Sequence, residues 1–141
     1  MTAAVFDVAA ANALLSDNFA PWVCATGITA ETIGTDTVTM RIPFSAQLCR
    51  MGGIMSGQTL VTGADTAMVI ALASKMGGLK KPITTVDLTI NYMRPITKAD
   101  ALLVAKVIRL GRTLAFCTTE IHEAGSDKPS AFSTGTFAIL G

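Results

Sequence analysis

Asp65 is the only acidic residue between Ser56 and Met76, in the stretch SGQTLVTGADTAMVIALASKM, which is otherwise apolar on nearly every face. At 1.5 Å per residue the stretch makes a helix of about 20 residues and roughly 30 Å, and a helix apolar all round seeks burial all round. A carboxylate in such surroundings is costly unless a partner or a task compensates it. Asp65 is therefore a candidate nucleophile or general base, since a partly desolvated carboxylate can attack a carbonyl carbon or activate water. A structural Asp, hydrogen-bonded to threonine or backbone donors, fits the same position. The helix start supplies a second group. Ser56 suits the N-cap, and Gly57 as first helical residue lets a ligand approach backbone N–H groups that point outward with the positive end of the helix dipole.

Eight positions separate Gly57 from Asp65, or roughly 12 Å along a helix axis. One carbonyl group cannot touch both. If the Gly57 amide polarises a carbonyl on which Asp65 acts, the two come from different helices, most simply from two copies of the chain packed antiparallel about a two-fold axis.

The flanking elements follow from periodicity. Residues 3 to 16, alanine-rich with Val5, Val8, Ala9, Asn12 and Leu15 at near-helical spacing, predict a short helix, and Phe19 to Val23 an apolar turn around Pro21 and Trp22. Residues 24 to 33 and 36 to 43 predict a hairpin around Gly34, and 44 to 55, with Gly52 and Gly53, a loop into the central helix. Gly77, Gly78 and Pro82 close that helix. Thr84 to Met93 alternates Val86, Leu88, Ile90 and Tyr92 with Thr85, Asp87, Thr89 and Asn91, which predicts a central strand. Residues 100 to 110, 112 to 123 and 130 to 140 supply further strands. The expected fold class is α+β, a curved antiparallel sheet of five to six strands wrapped around one long helix, and residues 1–141 form a single domain.

Composition narrows the function. Half of the 141 residues are apolar, which suits a sizeable core and further burial in an oligomer. Eleven basic against ten acidic residues leave no basic stripe, which argues against nucleic acid or an anionic membrane surface and favours a small-molecule partner. Gln58, Thr59, Thr62, Asp65 and Thr66 exclude a membrane span at the central helix. The first residues, MTAAVFDVAAANALL, lack a basic start and do not read as a signal peptide, so the expected compartment is the cytoplasm. Cys24, Cys49 and Cys117 are widely spaced and read as reduced core residues. With no Cys-x-x-Cys pair and a single histidine, His122, an ordinary zinc site lacks ligands, and a histidine-based triad is poorly supplied.

The motif SGQTLVTGADTAM, the strand TTVDLTINYMRP and the closing RTLAFCTTEIHEAGSDKPSAFSTGTFAI resemble the hotdog-fold acyl-CoA thioesterases of the PaaI type. The resemblance runs from about Cys49 to Leu140. It implies hydrolysis of acyl- or aryl-CoA thioesters without a cofactor or metal, in a homodimer or a dimer of dimers with sites at subunit interfaces. It gives Asp65 the place of the catalytic carboxylate, Gly57 that of the oxyanion-binding amide, and Thr85 that of a hydroxyl that helps hold the attacking water. The family commonly carries His-Gly-Gly where this chain has Ser56, Gly57 and Gln58, and an asparagine or glutamine where it has Arg50. Arg50, Ser56 and Gln58 are the implied substrate contacts at the helix start. The coenzyme carries phosphates, for which Arg50, Arg94, Lys80, Lys81, Arg109 and Arg112 are the candidate contacts. Ala64, Ala67 and Met68 either shape an acyl channel or serve as plain packing. Two alternatives stay open: a hotdog protein that binds an acyl thioester or lipid without cleaving it, and a hydratase or dehydratase, which needs a histidine paired with an Asp near the helix start.

Overall fold

The computed structural model describes residues 5–141. Helix α1 spans Val8–Asn18, and its start is set by Asp7, whose side chain accepts a hydrogen bond from the Ala10 amide at 2.9 Å. The helix expected over 3 to 16 is thus displaced toward the C-terminus, and residues 3 and 4 lie outside the described part. The expected turn at Phe19 to Val23 is instead a helical turn, α2 at Pro21–Cys24, because proline at its first position supplies a helical φ and needs no N–H partner there.

Strand β1 is Thr29–Ile33 and β2 is Thr37–Ile42, paired antiparallel. The hairpin is therefore present, but residues 24 to 28 belong to α2 and the turn after it. The Asn12 amide of α1 bonds both backbone groups of Ala30, accepting from its N–H at 2.8 Å and donating to its carbonyl at 3.4 Å. That contact fixes α1 against the edge strand beside the irregularity between Ala30 and Thr32. The expected loop of 44 to 55 holds a 3₁₀ turn at Ala46–Leu48 and a two-residue pairing of β3, Cys49–Arg50, with β4, Ile54–Met55.

The central helix, α3, is Gly57–Met76. Ser56 caps it by accepting from the Thr59 amide at 3.2 Å, and Gly77 ends it in the left-handed conformation that glycine adopts without strain. The remaining strands are β5 Ile83–Tyr92, β6 Ala101–Leu110, β7 Leu114–Glu123 and β8 Pro129–Ile139. The sheet has six strands in the order β1-β2-β6-β7-β8-β5, with every pairing antiparallel. Its inner face wraps α3, which packs against β2, β5, β6, β7 and β8. This is the α+β hotdog arrangement expected from the sequence.

Two further expectations change. Strand β5 lies at the sheet edge rather than at its centre. Alternation records one wet and one dry face, which an edge strand has as readily as an inner one. Helix α3 is also not buried all round: Ala64, Ala67, Met68, Ile70 and Leu72 are fully buried, whereas Val61, Thr62, Asp65 and Val69 form a half-buried stripe at helical spacing. Ala64, Ala67 and Met68 therefore serve the core.

Gly63 sets how closely α3 approaches the sheet. A Cβ there would lie 2.7 Å from both Ile42 Cδ1 and Leu103 Cδ2, side chains that are themselves fully buried. Gly63→Val is expected to lower unfolding free energy by about 1–3 kcal/mol in urea denaturation through overpacking; unchanged stability would show that the helix can lift off the sheet freely.

Candidate active site

The site is built where the open stripe of α3 faces β5 and the α1–α2 segment. Strand β5 carries an irregularity at Val86: Thr85 pairs with Phe137 and Asp87 with Thr136, which leaves Val86 as the extra residue, 58% exposed. A bulge of this kind shifts the phase of the alternation. Without it Thr85 would face away from Leu88 and Ile90. With it, Thr85 shares the helix side, and its hydroxyl donates to Asp65 Oδ1 at 2.9 Å. Among the described residues Asp65 Oδ2 has no hydrogen-bond partner. Burial pushes the Asp65 carboxyl above its ordinary value of 3.8, and the Thr85 hydrogen bond pulls it partly back.

Two clefts run along this side of α3. One, of about 350 Å³, contains Asp65 and Thr85 among walls that include Phe19, Trp22, Val69 and Ile83. The other, of about 330 Å³, lies toward the helix start and is lined by Gln47, Gln58, Thr59 and Thr26 with Leu48 and Trp22. Trp22 and Thr62 belong to both, so the two form one trough, in which apolar walls alternate with threonine hydroxyls and, toward the helix N-terminus, the amides of Gln47 and Gln58. Each lies near the lower end of the roughly 300–1,000 Å³ typical of ligand clefts.

The start of α3 is held from two sides. The Ser56 amide and the Thr59 hydroxyl both donate to the Leu48 carbonyl, at 3.0 and 3.2 Å, and the Tyr92 hydroxyl donates to the Gly57 carbonyl at 2.9 Å. Ser56 satisfies the Thr59 amide, while the amides of Gly57 and Gln58 have no acceptor among the described residues. They remain available for an oxygen of a ligand.

The structure thus gathers Asp65 with Thr85, and Ser56 and Gly57 with Gln58. Arg50 is exposed on the β3–β4 hairpin. Arg109 is exposed near the end of β6, and Arg112 joins Lys80 and Lys81 around a separate cleft of about 280 Å³ beside Met76, at the far end of α3. His122 on β7 pairs with Glu120 at 2.7 Å and lines neither cleft beside α3, so it offers no partner to Asp65 for hydratase chemistry. Among the described residues no three His, Cys, Asp or Glu side chains converge as metal ligands, and no helix is long and apolar enough to cross a membrane. Sequence patterns missed Trp22, Phe19, Gln47 and Tyr92. The only visible signal was that Trp22 and Tyr92 are the chain's single tryptophan and single tyrosine.

Comparison with known proteins places this geometry in context. Residues 52–130 match the family model described as the thioesterase superfamily, a span that holds Gly57, Asp65, Thr85 and Tyr92. A protein of Thermoplasma volcanium named as a candidate esterase is 25% identical over 109 residues, covering 77% of this chain and 80% of that protein. The solved structure of a candidate thioesterase from a Silicibacter species is 27% identical with a TM-score of 0.87, covering 97% of this chain and 94% of its own. A conserved protein of Pseudomonas aeruginosa is 29% identical with a TM-score of 0.78, covering 86% and 95%.

Because the folded-state proton affinity of Asp65 is raised, its contribution to stability is complete below the ordinary carboxyl value of 3.8 and is lost as pH rises through the raised one. Thr85→Val removes the hydroxyl that opposes this shift. The Asp65 carboxyl midpoint, followed by carbon-13 NMR, is expected to move further upward in that variant; an unchanged or lowered midpoint would mean that the hydroxyl does not hold the charge.

Proposed function

The chain belongs to the thioesterase superfamily, and from that membership we propose that it hydrolyses acyl or aryl thioesters of coenzyme A at sites shared between two copies of itself. The observation that carries this is the placement of Asp65: half-buried, with Thr85 on one oxygen and, among the described residues, no partner on the other, opening into a cleft that is continuous with one at the helix N-terminus, where two amides also lack acceptors among the described residues. A carboxylate with raised proton affinity is a stronger base toward water. In the general-base route Asp65 takes a proton from water as its oxygen adds to the thioester carbon, negative charge moves onto the carbonyl oxygen, and the C–S bond then breaks as the thiol leaves with that proton. In the nucleophilic route Asp65 adds to the thioester carbon, the C–S bond breaks as the thiolate leaves, and water then cleaves the resulting anhydride to the free acid, returning the Asp65 carboxylate and supplying the proton that the thiolate takes up. Both routes place an oxyanion on the carbonyl oxygen, which the Gly57 amide of a second copy receives.

The shared arrangement answers a distance that one helix imposes, since Gly57 and Asp65 lie roughly 12 Å apart along the axis of α3. Strand β5 offers the means. Among the described residues nothing pairs with the outer edge of this ten-residue strand, and such an edge is a template for another strand. Antiparallel pairing of two β5 edges would bring two α3 helices side by side. Ile108, Leu114, Phe116 and Phe132, exposed large apolar residues on β6, β7 and β8, give a surface through which such dimers could pair again. Arg50, Ser56 and Gln58 would contact substrate near the helix start. Arg109 and Arg112, with Lys80 and Lys81 beside Arg112, would meet the coenzyme phosphates. The proposed compartment is the cytoplasm, where the free Cys24, Cys49 and Cys117 stay reduced.

Thiol release from a panel of short, medium, long and aryl acyl-CoA thioesters tests the proposal. The native chain is expected to turn over at least one class, and Asp65→Asn to lose about 10²–10⁴-fold in kcat while remaining folded. No cleavage by the native chain, or undiminished turnover by Asp65→Asn, would overturn it; tight binding without cleavage would put a non-catalytic thioester-binding role in its place.

A further inference from the structure

Tyr92 ends β5 and is 51% exposed, yet it makes a defined contact with the start of α3. Its hydroxyl donates to the Gly57 carbonyl at 2.9 Å, and its Cζ and Oη atoms lie 3.3 Å from where a Gly57 Cβ would stand. The bulge at Val86 and the pairing of Tyr92 with the buried Ala131 put it on the same side of β5 as Thr85. One strand thus reaches both functional points of the helix, Asp65 through Thr85 and Gly57 through Tyr92.

The Gly57 carbonyl and the Gln58 N–H are the two ends of one peptide unit. As a first-turn carbonyl, the oxygen also receives the ordinary helical hydrogen bond from four residues on. A second donor at that oxygen draws electron density along the unit and makes its N–H a stronger donor, as in any hydrogen-bonded chain of amides. Of the first three helical amides, that of Thr59 is taken by Ser56, and those of Gly57 and Gln58 are free among the described residues. Burial raises the Tyr92 phenol above its ordinary value of 10.0, so the hydroxyl keeps its proton throughout the neutral range.

We propose that Tyr92 is a positioning residue for the oxyanion site: by bonding the Gly57 carbonyl it fixes and polarises the Gly57–Gln58 peptide, so that the Gln58 amide joins the Gly57 amide as a donor to the thioester oxygen. The catalytic consequence rests on the hydrolase function proposed above. The hydrogen bond itself stands on the geometry of this chain. Its strength is realised when charge develops on the carbonyl oxygen, so its loss falls on turnover rather than on substrate binding.

Tyr92→Phe in the full chain keeps the ring over Gly57 and removes only the hydroxyl. In the nitrogen-15-labelled protein the Gln58 amide proton is expected to move upfield, reporting a weaker donor. On whichever thioester the native chain cleaves best, kcat should fall on the order of 10-fold with KM within about twofold, less than the about 10²–10³-fold that deleting an oxyanion donor costs. Tyr92→Leu, which removes ring and hydroxyl together, should lose at least as much in kcat. An unmoved Gln58 signal, an unchanged kcat, or a loss lying wholly in KM, in a protein whose native form is active and whose Asp65→Asn form is not, overturns the role of Tyr92 and leaves the hydrolase function standing. A native chain that cleaves no thioester removes the oxyanion role together with that function.

Discussion

The hydrogen bond from Thr85 to Asp65 is the constraint on which the site depends. It puts a carboxylate in the open stripe of a helix otherwise made for the core, and supplies one donor where a fully paired carboxylate would have several. One partner orients the group. It leaves the second oxygen without a partner among the described residues and the charge only partly compensated, as the proposed role of base or nucleophile requires. The bond exists because β5 carries one extra residue at Val86, which turns Thr85 toward the helix.

Around that pair the structure divides its tasks cleanly. The inner side of α3, through Ala64, Ala67, Met68, Ile70 and Leu72, anchors the helix in the sheet, and Gly63 lets it approach closely. The opposite stripe faces the trough that Trp22 lines. The helix start is held by Leu48 on one side and Tyr92 on the other, which fixes the amides of Gly57 and Gln58, both without acceptors among the described residues, in the place where the proposed oxyanion would sit. Preorganised donors need no reorientation when charge appears. Rigid packing and reactive geometry are therefore carried by different faces of a single element.

Much of this was legible in the chain. The central helix, its Ser56 cap and the anomaly of Asp65 are local facts of residue type and spacing. The six-stranded sheet follows from repeated two-residue periods. What the sequence hid are relations between elements. Alternation in β5 could not tell an edge from a centre, and strict alternation placed Thr85 on the wrong side, because a bulge leaves no mark in the residue pattern. Trp22 resembled a turn residue until α2 set it over the trough, and Tyr92 resembled one more apolar tooth of a strand until its hydroxyl met Gly57. Arg112 stands far from Lys80 and Lys81 along the chain, and only the fold shows it sharing a cleft with them.

The proposed division of labour between two copies of α3 is tested most directly by hybrid dimers. Gly57→Val blocks the helix-start amide and Asp65→Asn removes the carboxylate, so each variant alone should be inactive. Unfolding and refolding the two together at equal amounts pairs them at random. A hybrid then holds one native site, built from the Gly57 of one copy and the Asp65 of the other, and recovery of about a quarter of native activity is expected for a two-fold dimer. Recovery of none, with dimers shown to exchange, would mean that amide and carboxylate act within one chain and that the shared site does not exist.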